Sequence, residues 1–375
     1  MPAPLEGVLV ADFSRVLAGP LAAMLLGDLG ADVIKVERPD GGDDTRAWGP
    51  PWHEGESTYY LGLNRNKRSL ALNLADEEDR ALARELGLRA DVLIESFRPG
   101  LIASWGLDGD TLRAAGNPGL VSCSVTAFGT TSEEATRLPG YDFLLQAMGG
   151  LMSVTGEPDG RPLKAGTAVV DLVCGLLAAN GIQAALIERA ATGRGRHVEV
   201  SLMDSVLTCL LNQGSAWVAA GVRGQRRGNR HPSIVPYETY RTADREIAIA
   251  VGNDRMYARL CEVVGLPDDP RFETNELRVA HADELAAVLE ERLRTQPAEV
   301  WLERLRAAKV PAGPINGIDE AFALADELGM EVTEGPLIAP PLRIDGERPP
   351  IRHRPPRLDE HGDDLRAWLR SAARG

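Results

Sequence analysis

Cysteine is sparse and scattered in this 375-residue chain: Cys123, Cys174, Cys209 and Cys261 form no CxxC pair. Such spacing supports neither a disulfide framework nor a cysteine zinc site. The six histidines make no HxH or HExxH pattern, so no metal is expected. The first strand-to-helix turn lacks GxGxxG, which disfavours a nicotinamide-dependent enzyme. Apolar stretches near the N-terminus, such as Leu21–Leu26, are too short to cross a bilayer, and no basic segment precedes them. A cytoplasmic location is therefore expected. Positive charge is also short: 55 acidic residues against 41 basic give a net charge of −14. That field repels nucleic acid and anionic membrane, and neither is expected as a partner. Lysine is rarer still, at positions 35, 67, 164 and 309 only.

What remains is the profile of a soluble globular protein, 44% apolar and 26% charged. Up to about residue 200, strand and helix signals alternate. Val8–Phe13 is a β-type run, Gly19-Pro20 opens an amphipathic helix to about Leu29, and Asp32–Glu37 is the next strand. Further strands are expected at Ser69–Leu74, Asp91–Glu95, Leu120–Val125 and His197–Ser201, with helices at Glu77–Leu88 and Asp171–Ala191. Alternation of this kind predicts an α/β fold around a doubly wound parallel sheet. After about residue 220 the pattern changes to a loop, a hairpin within Tyr237–Val251 and three helical segments, and then a Pro-rich extended tail. The expected organisation is a large domain over 1–220, a small α+β domain over 221–330 and an extended segment over 331–375.

Several residues carry chemistry. The first β-α turn, Ser14-Arg15-Val16-Leu17-Ala18-Gly19-Pro20, sits where an anionic ligand could bind. Arg38, Lys67, Arg68 and Arg98 fall at strand ends or in the loops beyond, and as a set they favour an anion. Asp171 opens an apolar helix; there it could serve as an N-cap, or as an ionised, poorly hydrated nucleophile toward an activated acyl group. Spacing leaves both roles open. Gly140-Tyr141-Asp142-Phe143 and Glu238 complete the candidate substrate-site residues.

Six segments in order, among them "VLVADFSRVLAGPLAAMLLGDLGADVIKVERP", "YYLGLNRNKRSLALNL", "ADVLIESFRPG", "GYDFLLQAMGGLMSVTG", "AGTAVVDLVCGLLAANG" and "VPAGPIN", closely resemble the family III CoA-transferases. The resemblance runs from about Pro4 to Leu358, and "GNRHPSIVPYETY" is most similar to the succinate–hydroxymethylglutarate branch. It implies a Rossmann-like large domain, an interlocked homodimer, and acyl-CoA and carboxylic acids as substrates, with coenzyme A carried as the thioester and no metal. The family's nucleophile matches Asp171, which would form an aspartyl anhydride and then an aspartyl-CoA thioester. Its CoA-contacting positions match Val16, Ala18, Arg38, Leu72, Phe97 and Arg137, with Lys67 and Arg98 nearby. Ser104-Trp105 stands where many relatives carry a basic residue, and the tail reads Leu358-Asp359-Glu360-His361 where relatives often have LGEH. Two alternatives are a 2-methylacyl-CoA racemase, whose histidine is replaced here by Tyr141, and a non-catalytic acyl-CoA-binding homologue. A phenol is a poor base at neutral pH, which favours transfer.

Overall fold

The structure, a computed structural model, describes residues 3–371 and divides into two compact units. The larger unit begins with β1 (Leu9–Phe13), α1 (Ala18–Asp28) and β2 (Asp32–Glu37). It continues with β3 (Lys67–Ala71), α2 (Glu77–Arg89), β4 (Val92–Glu95) and β5 (Val121–Thr126). After α3 (Asp142–Met148) and the long α4 (Val169–Thr192) come β6 (His197–Ser201), α5 (Leu202–Cys209) and α6 (Leu211–Ala220). The six strands are parallel throughout, in the order β3-β2-β1-β4-β5-β6. Ala11 of β1 lies between Ile34 of β2 and Leu93 of β4.

Both faces of the sheet are covered, as a parallel sheet requires. Val10, Val33, Val92 and Ile94 pack beneath α1 and α4 on one side. On the other, Ile34, Leu70 and Leu93 meet Leu82 and Leu86 of α2. Asp76 caps α2 by accepting from the Glu78 and Asp79 amides. By length and composition α4 could span a bilayer, but Cys174, Ala178 and Ile182 on its sheet-facing side are buried. Gly175 brings α4 against α1: a Cβ there would lie 2.7 Å from the Ala18 carbonyl oxygen.

The strand β3 begins two residues earlier than the sequence pattern predicts and ends at Ala71 rather than Leu74. Lys67 and Arg68 open it, charged residues that read as loop but pair in register with Val33 and Ile34. The tail also belongs to this unit. Arg352 donates its amide to Asn66 Oδ1 at 2.7 Å, the Tyr60 hydroxyl donates to the Pro356 carbonyl at 3.1 Å, and Leu365 and Leu369 of the closing helix are buried.

The smaller unit comprises residues 152–163 and 223–330, so 152–163 separate from the 1–220 segment expected as one domain. Backbone pairing explains the grouping: the Gly228 amide donates to the Gly156 carbonyl at 3.0 Å. The hairpin β7 (Tyr237–Arg241) and β8 (Glu246–Ala250) gains a third antiparallel strand, β9 (Ala312–Pro314). Helices α7 (Asp254–Val264), α8 (Ala282–Leu293) and α9 (Ala298–Ala307) close this core over Ile247 and Ile249.

Candidate active site

In this strand order the chain leaves β1 toward β2 and later returns to pair β4 on the opposite side of β1, so a crevice opens beyond the carboxyl ends of β1 and β4. The two lips touch directly, the Arg15 amide donating to Ser96 Oγ at 3.0 Å. Two cavities meet there. The first, about 320 Å³, is lined by Val16, Ala18, Phe97, Arg98, Arg137, Tyr141 and Asp171. The second, about 260 Å³, is lined by Arg38, Leu72, Phe97 and Trp105. Arg15 and Phe97 border both. Seven of the sequence-predicted residues therefore share the first cavity, and Arg38 and Leu72 line the second.

Asp171 stands at the third position of α4 without capping it. The cap comes from Asp142, whose Oδ1 accepts from the amides of Val170 (2.8 Å) and Asp171 (3.1 Å) and whose Oδ2 accepts from Gln146 Nε2 at 2.6 Å. Asp142 is buried behind the cavity wall. Among the described residues nothing donates to the Asp171 carboxylate, which lines the cavity half-buried. Burial, reinforced by the charge on Asp142, pushes its pKa up to about 7. Desolvation and a like charge thus lift Asp171 out of the ordinary carboxylate range. Its N-cap reading is corrected, because the capping residue lies 29 positions earlier.

Besides Asp142, two expected site residues lie elsewhere. Lys67 is fully buried, with Nζ donating to Asp12 Oδ2, the Pro20 carbonyl and Asn64 Oδ1 at 2.8–3.0 Å. No donor remains for a ligand, so direct contact with CoA is ruled out for it. Burial pulls its ammonium down to about 8 against the opposing charge of Asp12. Glu238 belongs to the smaller unit, in an ion pair with Arg230 at 2.8 Å.

Arg15 and Trp105 entered the sequence reading only as part of a turn and of a departure from the family pattern, without a site role, and Tyr59 escaped it. Arg15 stacks over Phe97 with 5.8 Å to the ring centroid and, with Arg38, flanks Asp44 at 3.7 and 2.7 Å. Its position directly after β1 was the available signal. Trp105 meets Phe97 edge to face at 5.3 Å, so the departure from a basic residue supplies an aromatic wall. Tyr59, edge-on to Trp48, has its hydroxyl pushed up to about 12 by burial and then by the charges of Asp171, Asp142 and Asp43. Nothing local in the sequence announces that proximity.

Residues 5–362 match the model of CoA-transferase family III. The chain is 44% identical to a succinate–glutarate CoA-transferase of Agrobacterium fabrum, a match covering 99% of this chain and 97% of that one. It is 41% identical to an acetyl-CoA:oxalate CoA-transferase of Acetobacter aceti, covering 97% and 95%. A solved CAIB/BAIF family protein from Brucella suis superposes with a TM-score of 0.87 at 42% identity, covering 98% of this chain and 100% of that one.

Proposed function

The chain belongs to CoA-transferase family III, and from that premise we propose that it exchanges CoA between short dicarboxylic acids with Asp171 as the covalent carrier. The observation that carries this reading is the Asp171 carboxylate, lining the crevice with no donor to it among the described residues, while its neighbour Asp142 is consumed by capping. A carboxylate without donors keeps its lone pairs for attack, and its raised pKa marks a more basic nucleophile. Asp171 attacks the donor thioester carbonyl, giving a mixed anhydride and CoA thiolate. The thiolate attacks the aspartyl carbonyl, which releases the donor acid and leaves an aspartyl-CoA thioester. The acceptor carboxylate attacks that thioester, and the thiolate finally attacks the acceptor's acyl carbonyl, regenerating Asp171. Each step trades one activated acyl group for another, and exclusion of water protects the anhydride.

The chain's own groups divide the remaining work. The first turn of α1 has no side-chain cap, so its amides at Leu17, Ala18 and Gly19 suit the oxyanion that forms beside Asp171. Arg15, Arg38, Arg98 and Arg137 supply positive charge for the CoA phosphates. Leu72, Phe97 and Trp105 offer an apolar and aromatic surface for its base. The dicarboxylate preference rests on the relatives named for succinate and glutarate and for oxalate. A second copy of the chain fits the apolar side chains left open on α4 to α6: Leu176, Ile187, Leu211 and Val218 are 49–86% exposed. We assign that copy to an interlocked homodimer.

The test mixes enzyme with a panel of acyl-CoAs and free acids in deuterated water, and mass spectrometry reads every CoA ester. New esters carrying the free acids, without carbon-bound deuterium, support transfer and name the acceptor. Deuterium in an unchanged 2-methylacyl-CoA makes the site a racemase instead, and no new ester across the panel leaves a binding protein.

A further inference from the structure

We propose that the buried Lys35–Asp43 ion pair is a positioning device that holds the Ser14–Leu17 turn in the shape an acyl-CoA meets. The inference rests on the CoA reading of the crevice and deepens it.

Val16, at the centre of that turn, adopts φ +71°, a left-handed backbone that a β-branched residue takes only under constraint. The constraint comes from below. The Val16 amide donates to both oxygens of Asp43, at 3.2 and 3.4 Å. Lys35 Nζ donates to Asp43 Oδ2 at 2.8 Å and to the Ser14 carbonyl at 3.0 Å. The pair therefore grips the turn on either side of Arg15, at one carbonyl and one amide. Asp12 takes the Ser14 amide and hydroxyl, and Lys67 ties Asp12 to the Pro20 carbonyl at the start of α1. Asp43 is fixed in turn: Thr45 donates to it through its amide and hydroxyl, and its own amide donates to Glu37, which holds Arg46 in a two-point ion pair. Asp12, Lys35, Asp43 and Lys67 are all at most 1% exposed.

Stability alone does not account for such a network. Buried ion pairs commonly add little over well-packed apolar residues, because desolvation consumes the Coulomb gain. What they add is one geometry at the expense of others. The choice of lysine agrees: two of only four lysines in a chain with 41 basic residues stand here. A compact ammonium can donate in three directions within one small pocket, as Lys67 does, whereas a guanidinium fork is planar and larger. The held turn lines the cavity with Asp171, so its shape sets how tightly an acyl-CoA seats in that cavity.

The test uses the full chain and Asp43→Asn, which keeps the shape of the side chain and removes its charge from Lys35. Hydrogen exchange of the ligand-free protein is read first. The peptide spanning residues 13–20 should lose protection, with β4 and β5 peptides unchanged. Steady-state kinetics should then show KM for the acyl-CoA donor raised about tenfold, with kcat and KM for the acid moving less than about threefold. Adding Val16→Gly should bring the acyl-CoA KM of Asp43→Asn back down, because glycine takes the left-handed backbone without strain. Thr45→Val removes one donor to the same carboxylate and should give a smaller shift in the same direction, which covers the case of an insoluble Asp43→Asn. Unchanged exchange, a loss in kcat with KM unmoved, or Val16→Gly and Asp43→Asn multiplying each other's damage would overturn the proposal. A wild-type chain that neither binds nor turns over acyl-CoA overturns the CoA reading itself; the exchange result still decides whether the pair holds the turn.

Discussion

Asp171 and Asp142 are adjacent carboxylates in different settings, one capping a helix and the other, in the proposed reaction, the nucleophile. Because burial and the Asp142 charge raise Asp171 to about 7, its ionised form accumulates only as pH rises through neutrality. Transfer activity, measured as kcat/KM for acyl-CoA, should climb with slope one below about pH 7 and level off above it. Asp142→Asn removes the like charge while keeping an acceptor for the α4 amides, so the acid limb should move to lower pH. An unmoved limb would mean that another group controls the profile. The same shift affects stability. A carboxyl whose folded pKa is raised disfavours folding once it must ionise, a cost absent below pH 4 and complete above about pH 7. Asp171→Asn should therefore abolish transfer yet raise the melting temperature relative to wild type, by more at pH 8 than at pH 5. Thermal melts at the two pH values read that difference, in which any cost of the uncharged amide cancels.

Between elements, the decisive contact is that of α1 with α4, because it sets Asp171 beside the β1–α1 turn. Gly175 permits it, and Gly175→Ala would place a methyl 2.7 Å from the Ala18 carbonyl and 2.9 Å from Leu21. The helices must separate, at a cost of about 1–3 kcal/mol, readable as a lower denaturant midpoint with a lower kcat. At this scale the sequence was most legible. β1, β2 and β6 are runs whose apolar residues and flanking turns survive in the fold almost residue for residue. The start of β3 was hidden because a fully buried charge in a strand, that of Lys67, is legible only once its partners Asp12 and Asn64 are known. Asp171 stood out by its place before an apolar helix, but its cap did not, since Asp142 acts across 29 positions of chain. Long-range pairing of buried polar groups leaves no local period in a sequence. The family motifs located the crevice; the buried ion pairs beneath it needed coordinates.

For the molecule as a whole, the tail is part of the core. Leu365 and Leu369 fill the α2 side of the sheet, and Arg89 donates to the Trp368 and Leu369 carbonyls at 3.0 Å. Leu365→Ala should cost about 2–5 kcal/mol, the range for a large-to-small change in a packed core, measured by chemical denaturation. The apolar side chains exposed on α4 to α6 predict a dimer that persists on dilution, measurable by sedimentation at micromolar and nanomolar concentrations; a monomer at micromolar concentration would contradict the proposed assembly. The central claim, that Asp171 itself carries the acyl group, has a direct test in isotope transfer. In the proposed route the oxygen bridging the acceptor anhydride stays with Asp171 when CoA thiolate takes the acyl group. Turnover with an acceptor acid labelled with oxygen-18 in its carboxylate, followed by peptide mass spectrometry, should place the label on the peptide containing Asp171 and on no other. Efficient formation of the new acyl-CoA with that peptide unlabelled would contradict covalent carriage by Asp171.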